Sequence, residues 1–228
     1  MRLVPCLAVL LAVALDGPCA IASDRTPATA LAGASLFGTR EVYSPDNSAF
    51  FKWTGVLARF AAEQRSIAQG CKPGAIDTCW PAQWQALVAT LDGLDPRTQL
   101  ERVNDAINRY PYVPSLRNWG ESNYWETPFE FLLKGGQCQD YAVAKYLLLR
   151  AAGVPADKLR VVVLRDTSLG LDHAVTVAYV GGEALMLDNQ IRDVVPAASV
   201  HHYEPYYSIN EQGWWLHQAA KARYAVKD

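Results

Sequence analysis

This 228-residue sequence has no marked excess of positive or negative charge, few long apolar stretches and few histidines. These shortages exclude several classes of protein. Lysine and arginine together number 21 against 23 aspartates and glutamates, so the chain lacks the basic excess that nucleic-acid binding requires. Beyond residue 22, no apolar stretch approaches the roughly 20 residues of a membrane-spanning helix. Half of the residues are nevertheless hydrophobic, and no repeat is evident, which predicts one folded domain that is not membrane-embedded.

The first 22 residues have the pattern of a secretory signal peptide. Arg2 gives a positive start, Leu3 to Leu15 is almost entirely apolar, and Ala20-Ile21-Ala22 is a small-x-small cleavage site. The mature protein is therefore expected to be periplasmic or secreted. The predicted organisation is a signal peptide (1–22), a flexible N-terminal arm rich in Ala, Thr, Ser and Gly (23–45), and one folded domain (46–228).

Cysteine is scarce once the predicted signal peptide is removed, because Cys71, Cys79 and Cys138 are all that remain of five. In an oxidising compartment two of these three should form a disulfide. Cys71 and Cys79 are close in sequence and flank a Pro-Gly turn, so we expect a bond between them. Cys138 is then a free thiol, which is either a buried inert residue or a thiol retained for its chemistry.

Helical patterns occupy the first half of the folded domain and strand patterns the second. Apolar residues recur at helical spacing between Phe50 and Tyr110, and Asp95-Pro96 and Thr127-Pro128 are typical of helix starts. After Pro155 the apolar segments become β-branched, which is typical of strands. Helices followed by strands indicate an α+β fold.

Cys138 lies at the predicted start of a buried helix. Gly135-Gly136 precedes it, and an apolar stretch from Ala142 to Ala152 follows. A helix N-terminus carries free N–H groups and a partial positive charge, and both favour the thiolate, which is the nucleophilic form of cysteine. The backbone N–H of Cys138 is also a candidate oxyanion donor. This position favours a catalytic thiol over an inert one.

A predicted β-hairpin supplies partners for such a thiol. Two β-branched and apolar segments flank Gly181-Gly182, which is typical of a two-residue turn. A turn at these glycines pairs Val180 with Glu183, and side-chain alternation then puts His173 and Asp188 on one face as diagonal neighbours. A slip of one residue would separate them. We therefore predict a triad of Cys138, His173 and Asp188, in which the carboxylate orients the imidazole.

The same strand pairing places no acid beside the other histidines. His201 and His202 lie in a segment with the composition of a loop, and His217 follows an apolar group that it could cover. Asp140 fits the first turn of a helix, where an acid favours the helix dipole. Three residues in the loop before the helix are candidates to line the cleft: Trp119, Asn123 and Trp125.

Together these residues resemble the bacterial transglutaminase-like cysteine peptidases, whose LapG-type members are periplasmic. The resemblance covers roughly Val103 to the C-terminus. It implies a papain-like, transglutaminase-like core in which an N-terminal helical lobe packs on an antiparallel β-sheet. It also implies a Cys–His–Asp triad at the three residues above, and cleavage of a protein substrate such as a large surface adhesin. It also implies control by an inner-membrane receptor that senses cyclic di-GMP. The motifs that carry it are Trp119-Gly120, Tyr124-Trp125, Gly135-Gly136-x-Cys138-x-Asp140-Tyr141-Ala142, Ala144-Lys145-Tyr146, Gly153-Val154-Pro155, Lys158-Leu159-Arg160, His173-Ala174, Leu187-Asp188-Asn189 and Tyr207-Ser208-Ile209-Asn210.

The residues beside the cysteine depart from that family. LapG-type members carry acids on both sides of the cysteine and bind calcium there, whereas this chain has Gln137 and Gln139 and keeps Asp140. Calcium prefers carboxylate ligands, and their number sets its affinity. We therefore expect no cofactor, with calcium binding weak or absent. Two other functions stay open: an acyl transferase of the transglutaminase type on the same triad, and a binding module that keeps the fold without the chemistry.

Overall fold

The computed structural model describes residues 36–68 and 80–219. The predicted signal peptide and the predicted disulfide between Cys71 and Cys79 lie outside these residues. None of the described helices has the length and apolarity of a membrane span. The helices occupy the first half of the domain and span Phe51–Ala68 (α1), Trp80–Ala89 (α2), Pro96–Ile107 (α3), Ser115–Trp119 (α4), Pro128–Lys134 (α5) and Cys138–Ala151 (α6).

One antiparallel sheet accounts for all the strands in the described residues. They are Arg40–Ser44 (β1), Leu159–Asp166 (β2), Leu171–Val180 (β3), Glu183–Leu187 (β4), Val195–Pro196 (β5), Tyr203–Asn210 (β6) and Gly213–Gln218 (β7). Hydrogen-bonded neighbours follow the order β1-β7-β6-β2-β3-β4-β5, and every pair is antiparallel. The predicted α+β class, with helices packed on an antiparallel sheet, is therefore confirmed.

Helix α6 lies at the centre of the hydrophobic core. Its residues from Gln139 to Leu149 are all buried, and it packs on β2 and β3 of the sheet and on α3 and α5. Each large aliphatic side chain buried in this way contributes roughly 1.5–3 kcal/mol. A second apolar cluster includes Val162 and Val175, which alternate with residues of the first cluster and therefore lie on the opposite face of the sheet.

The predicted flexible arm (23–45) is wrong over its last residues, because Arg40–Ser44 forms the edge strand β1. This strand pairs with β7 along its whole length. Leu36, just before it, is 1% exposed. Glu41 accepts a hydrogen bond from the Arg160 guanidinium on β2 at 2.7 Å. The strand is short and partly exposed, so its composition gives little strand signal, and contacts with distant residues hold it in place.

The chain between α5 and α6 approaches its neighbours closely, and Gly135-Gly136 permits this approach. Gly135 has a φ of 71°, and a side chain at this residue would collide with the carbonyl of Pro111. A Cβ on Gly136 would lie 2.7 Å from Oδ2 of Asp140 and 2.9 Å from Oε2 of Glu126. The two glycines thus let the chain enter α6 against side chains that are already packed.

Candidate active site

Cys138 is the first residue of α6, as the sequence predicts, and its side chain is partly exposed. Gln137 is the N-cap residue, and its backbone N–H donates to Oδ2 of Asp140 at 2.8 Å. The backbone N–H of Cys138 is at the first helical position and has no intrahelical acceptor, which is what an oxyanion donor requires.

The hairpin that carries His173 has the predicted register. Val180 pairs with Glu183 around the Gly181-Gly182 turn, and both glycines have positive φ values, 59° and 85°. The Nε2 atom of His173 consequently lies 2.8 Å from Oδ1 of Asp188. These two side chains are 1% and 0% exposed, so the hydrogen bond between them is shielded from water.

Asp188 has further hydrogen-bond donors that the sequence did not indicate. The Tyr203 hydroxyl donates to Oδ2 at 2.7 Å, and the backbone N–H of Gln190 donates to Oδ1 at 2.9 Å. Burial raises the pKa of Asp188, but the hydrogen bonds and the charge of His173 outweigh burial and lower the pKa below its usual value. Asp188 is therefore ionised at neutral pH and suited to orient and stabilise a protonated imidazole.

Because Asp188 holds Nε2 of His173, Nδ1 is the ring nitrogen that remains for a thiol. Burial lowers the pKa of His173, but the hydrogen bond to Asp188 and the nearby Asp188 and Cys138 side chains outweigh burial and raise the pKa to about 9. The side-chain amide of Gln190 lies 3.4 Å from Nδ1. A histidine that is protonated at neutral pH and lies beside a cysteine in the same cavity stabilises the thiolate, the reactive form of that cysteine.

Lys145 is a second basic group near Asp188. It lies two turns beyond Cys138 on α6 and is 0% exposed. Burial lowers the pKa of Lys145 to about 7, and the charge of Asp188 counteracts that effect. Its sequence signal was a lysine inside a run that otherwise looked apolar, and no chemical role was predicted for it from the sequence.

A cavity of about 440 Å³ opens over Cys138 and His173. A volume of this order is typical of ligand and substrate sites. Two of the three predicted cleft residues, Asn123 and Trp125, line it. Its wall also contains aromatic and aliphatic side chains from α1 and the residue before it, from the segment before α4 and from the sheet: Phe50, Trp53, Tyr112, Val163, Tyr207 and Ile209.

Trp119 does not line this cavity, contrary to the prediction, because its indole is engaged elsewhere. The indole N–H donates to Oε1 of Glu126 at 2.6 Å, and the ring packs on Tyr124. Glu126 is 0% exposed, and its backbone N–H donates to Oδ1 of Asp140 at 2.9 Å. Burial raises the pKa of Asp140 well above its usual value, and the Glu126 carboxylate raises it further. Glu126 was not predicted from the sequence, because it lies 14 residues from Asp140 in the chain.

The remaining histidines lie outside this cavity. His201 is exposed, and the ring of His202 packs against Tyr203. His217 is buried, with Nδ1 2.7 Å from the Thr39 hydroxyl. Within residues 36–68 and 80–219, no group of three or more His, Cys, Asp or Glu side chains is arranged to hold a metal ion.

Comparisons with known proteins give a matching family and a similar solved structure. The model of a family described as bacterial transglutaminase-like cysteine proteinase matches residues 75–222. The calcium-bound structure of LapG from Legionella pneumophila is similar, with a TM-score of 0.57 and 29% identity over 69% of this chain and 87% of that one. The EGTA-treated structure of the same protein gives the same TM-score and identity over 70% and 86% of the two chains. A comparison with curated protein sequences found no match.

Proposed function

Because this chain belongs to the bacterial transglutaminase-like cysteine proteinase family and is a cysteine peptidase, we propose that Cys138, His173 and Asp188 are its catalytic triad. The observation that carries the proposal is the buried hydrogen bond of 2.8 Å between His173 and Asp188, beside the cavity that Cys138 also lines. The raised pKa of His173 and the lowered pKa of Asp188 support the same roles.

In the proposed first step the Cys138 thiolate attacks the carbonyl carbon of a peptide bond. A C–S bond forms, and the carbonyl electron pair moves to the oxygen. This oxygen accepts a hydrogen bond from the backbone N–H of Cys138. When this intermediate collapses, the C–N bond breaks and His173 Nδ1 gives its proton to the leaving amine. The acyl group remains on sulfur as a thioester, and Asp188 keeps the imidazole oriented throughout.

Water completes the proposed cycle. Neutral His173 takes a proton from a water molecule, and the resulting hydroxide attacks the thioester carbon. The C–S bond then breaks, which releases a carboxylic acid and restores the Cys138 thiolate beside the His173 imidazolium. Atoms and charges balance without a metal ion or an external oxidant.

The substrate is a protein, because the chain is a peptidase, and the cavity offers it both apolar and polar side chains. We propose further that the substrate is a cell-surface adhesin and that an inner-membrane receptor for cyclic di-GMP controls the enzyme. The support for these two points is the similarity to LapG-type peptidases. We also propose export through the signal peptide (1–22) and a disulfide between Cys71 and Cys79, both on the sequence pattern alone.

The proposal is tested by incubating mature protein and a Cys138→Ala variant with a periplasmic extract, and separately with the N-terminal region of an adhesin that a LapG-type peptidase cleaves. New N-termini are quantified by mass spectrometry, and a fluorescent primary amine is present in a parallel reaction. We expect new N-termini with the unaltered protein and none with the variant. Equal cleavage by Cys138→Ala would overturn the triad, and amine incorporation without new N-termini would assign a transferase instead. Cleavage of other proteins but not of the adhesin would reject that substrate.

A further inference from the structure

The side-chain amide of Gln139 lies among oxygen atoms from three separate segments. Its Nε2 atom donates to the Tyr124 carbonyl at 3.2 Å and to Oδ2 of Asp140 at 3.3 Å, and the Ser115 hydroxyl lies 3.5 Å away. Gln139 is 7% exposed, so these contacts are protected from water. One amide thus connects the start of α4, the loop before α5 and the first turn of α6.

Calcium requires a different set of atoms from those that this region offers. It takes about six to eight oxygen ligands at about 2.3–2.6 Å, and an N–H group cannot serve as one. Both oxygens of Asp140 already accept backbone N–H groups, from Glu126 at 2.9 Å and from Gln137 at 2.8 Å. The Gln137 side-chain oxygen accepts from the Ser115 backbone N–H at 3.0 Å. Gln137 and Gln139 bring no charge to the region beside Cys138, and the Asp140 oxygens are already engaged, so these residues fit calcium less well than the acids that LapG-type members carry there.

We propose that the Gln139 side-chain amide takes the place of a cation here, so that the start of α6 and its thiol are assembled without calcium. An amide N–H group presents positive hydrogen atoms to oxygen acceptors, as a cation presents its charge. It joins the Tyr124 carbonyl and Asp140 by hydrogen bonds instead of coordination. The amide is fixed to α6 by a covalent bond, and so the assembly does not depend on metal concentration.

Glu126 is the feature that could oppose this proposal. Its Oε1 atom accepts from Trp119 and from Asn118 at 3.1 Å, but Oε2 is buried without a hydrogen-bond partner among the described residues. A residual cation site would have to use this oxygen together with Asp140. Calcium binding by the unaltered protein would reveal such a site and would overturn the proposal.

The first test compares protein treated with EGTA and protein supplied with calcium chloride. The melting temperature and the rate at which iodoacetamide alkylates Cys138 are measured in both. We expect both quantities to be the same in the two samples. A higher melting temperature or faster alkylation with calcium would contradict the proposal. Neither readout needs a substrate, so this result is independent of the proposed peptidase reaction.

The second test uses Gln139→Glu, which replaces the N–H donor with a carboxylate of the same shape. This third acid beside Asp140 and Glu126 should repel both. The EGTA-treated variant should therefore melt at a lower temperature than unaltered protein, and calcium should raise its melting temperature back towards that of unaltered protein. Magnesium, which is smaller and gives up its water reluctantly, should raise the melting temperature of the variant less than calcium does. A matched control, Gln64→Glu, makes the same charge change at an exposed residue of α1 and should respond to neither ion. A Gln139→Glu variant that is as stable as unaltered protein in EGTA would overturn the proposal.

Discussion

Two histidines of this chain are similarly buried and have opposite pKa shifts. His173 is 2% exposed and His217 is 7% exposed. The pKa of His173 is raised to about 9, whereas the pKa of His217 is lowered to about 4. Burial disfavours the charged imidazole at both positions, so the difference comes from the groups that the two rings contact.

The partners of His173 are acidic, and those of His217 are neutral hydroxyl groups. Asp188 lies 2.8 Å from His173 in the proposed active site. The ring nitrogens of His217 lie 2.7 Å from the Thr39 hydroxyl and 2.9 Å from the Ser208 hydroxyl. One fold thus holds the same side chain beside a carboxylate in the cleft and as a neutral link between the N-terminal segment and the sheet.

Removing the negative charge beside His173 should produce the largest change in the pKa difference between the two histidines. In Asp188→Ala the pKa of His173 should fall from about 9 towards or below its ordinary value of 6.5. The rate of peptide hydrolysis should fall on the order of 10²–10⁴-fold, the usual contribution of a positioned acid–base group. The ring pKa is measured by NMR with ¹⁵N-labelled histidine, and the rate with a peptide identified in the cleavage experiment.

Asp188→Asn is the matched control for that experiment. Its side-chain oxygen can still accept from Nε2 of His173, so it should recover part of the rate by restoring ring orientation without restoring the pKa. An unchanged His173 pKa in Asp188→Ala would show that the carboxylate does not set the difference between the two histidines.

The two histidines should also give opposite dependences of stability on pH. His217 has a folded pKa of about 4, below its ordinary 6.5, so below pH 6.5 the unfolded chain binds a proton that the folded chain does not. Its contribution to the free energy of unfolding should therefore fall between pH 6.5 and 4, by about 3 kcal/mol in total. His173 has a raised pKa, so its contribution should fall as pH rises from 6.5 through about 9.

Urea unfolding across this pH range, with His217→Gln and His173→Gln alongside the unaltered protein, separates the two contributions. The His217→Gln variant should lose the additional acid-side decrease, and His173→Gln the additional alkaline-side decrease. Parallel stability curves for all three proteins would contradict the pKa shifts of both residues.

The smallest expected effect comes from the hydroxyl that supports Asp188. Tyr203→Phe removes the donor to Oδ2, which should cost about 1 kcal/mol of stability and raise the pKa of Asp188. Tyr206→Phe is a matched control, because the Tyr206 hydroxyl donates to the exposed Asp172 at 2.9 Å. Equal effects of the two substitutions on stability and on hydrolysis rate would show that Tyr203 has no particular role at Asp188.

Local patterns were sufficient to predict the parts of the site that depend on sequence neighbours. Gly181-Gly182 sets the hairpin turn, and strand alternation then determines that His173 and Asp188 share a face. The helix start at Cys138 likewise follows from Gly135-Gly136 and the apolar run beyond it. These elements needed no knowledge of distant contacts.

Other parts could not be predicted, because tertiary contacts determine them. Tyr203 reaches Asp188 from β6, which is not adjacent to β4 in the sheet. Glu126 meets Asp140 because the loop before α5 packs on the first turn of α6, and that approach removes Trp119 from the cleft. The edge strand Arg40–Ser44 is held by β7, which lies more than 150 residues later in the sequence but beside it in the sheet.

The central claim is that His173 holds Cys138 as a thiolate, and alkylation of Cys138 by iodoacetamide between pH 4 and 9 tests it most directly. Unaltered protein, His173→Ala and the matched control His217→Ala are compared. We predict that Cys138 reacts well below its ordinary pKa of about 8.5 in unaltered protein and in His217→Ala, and that His173→Ala moves the reaction to higher pH. The same profile in His173→Ala and in unaltered protein would contradict the account.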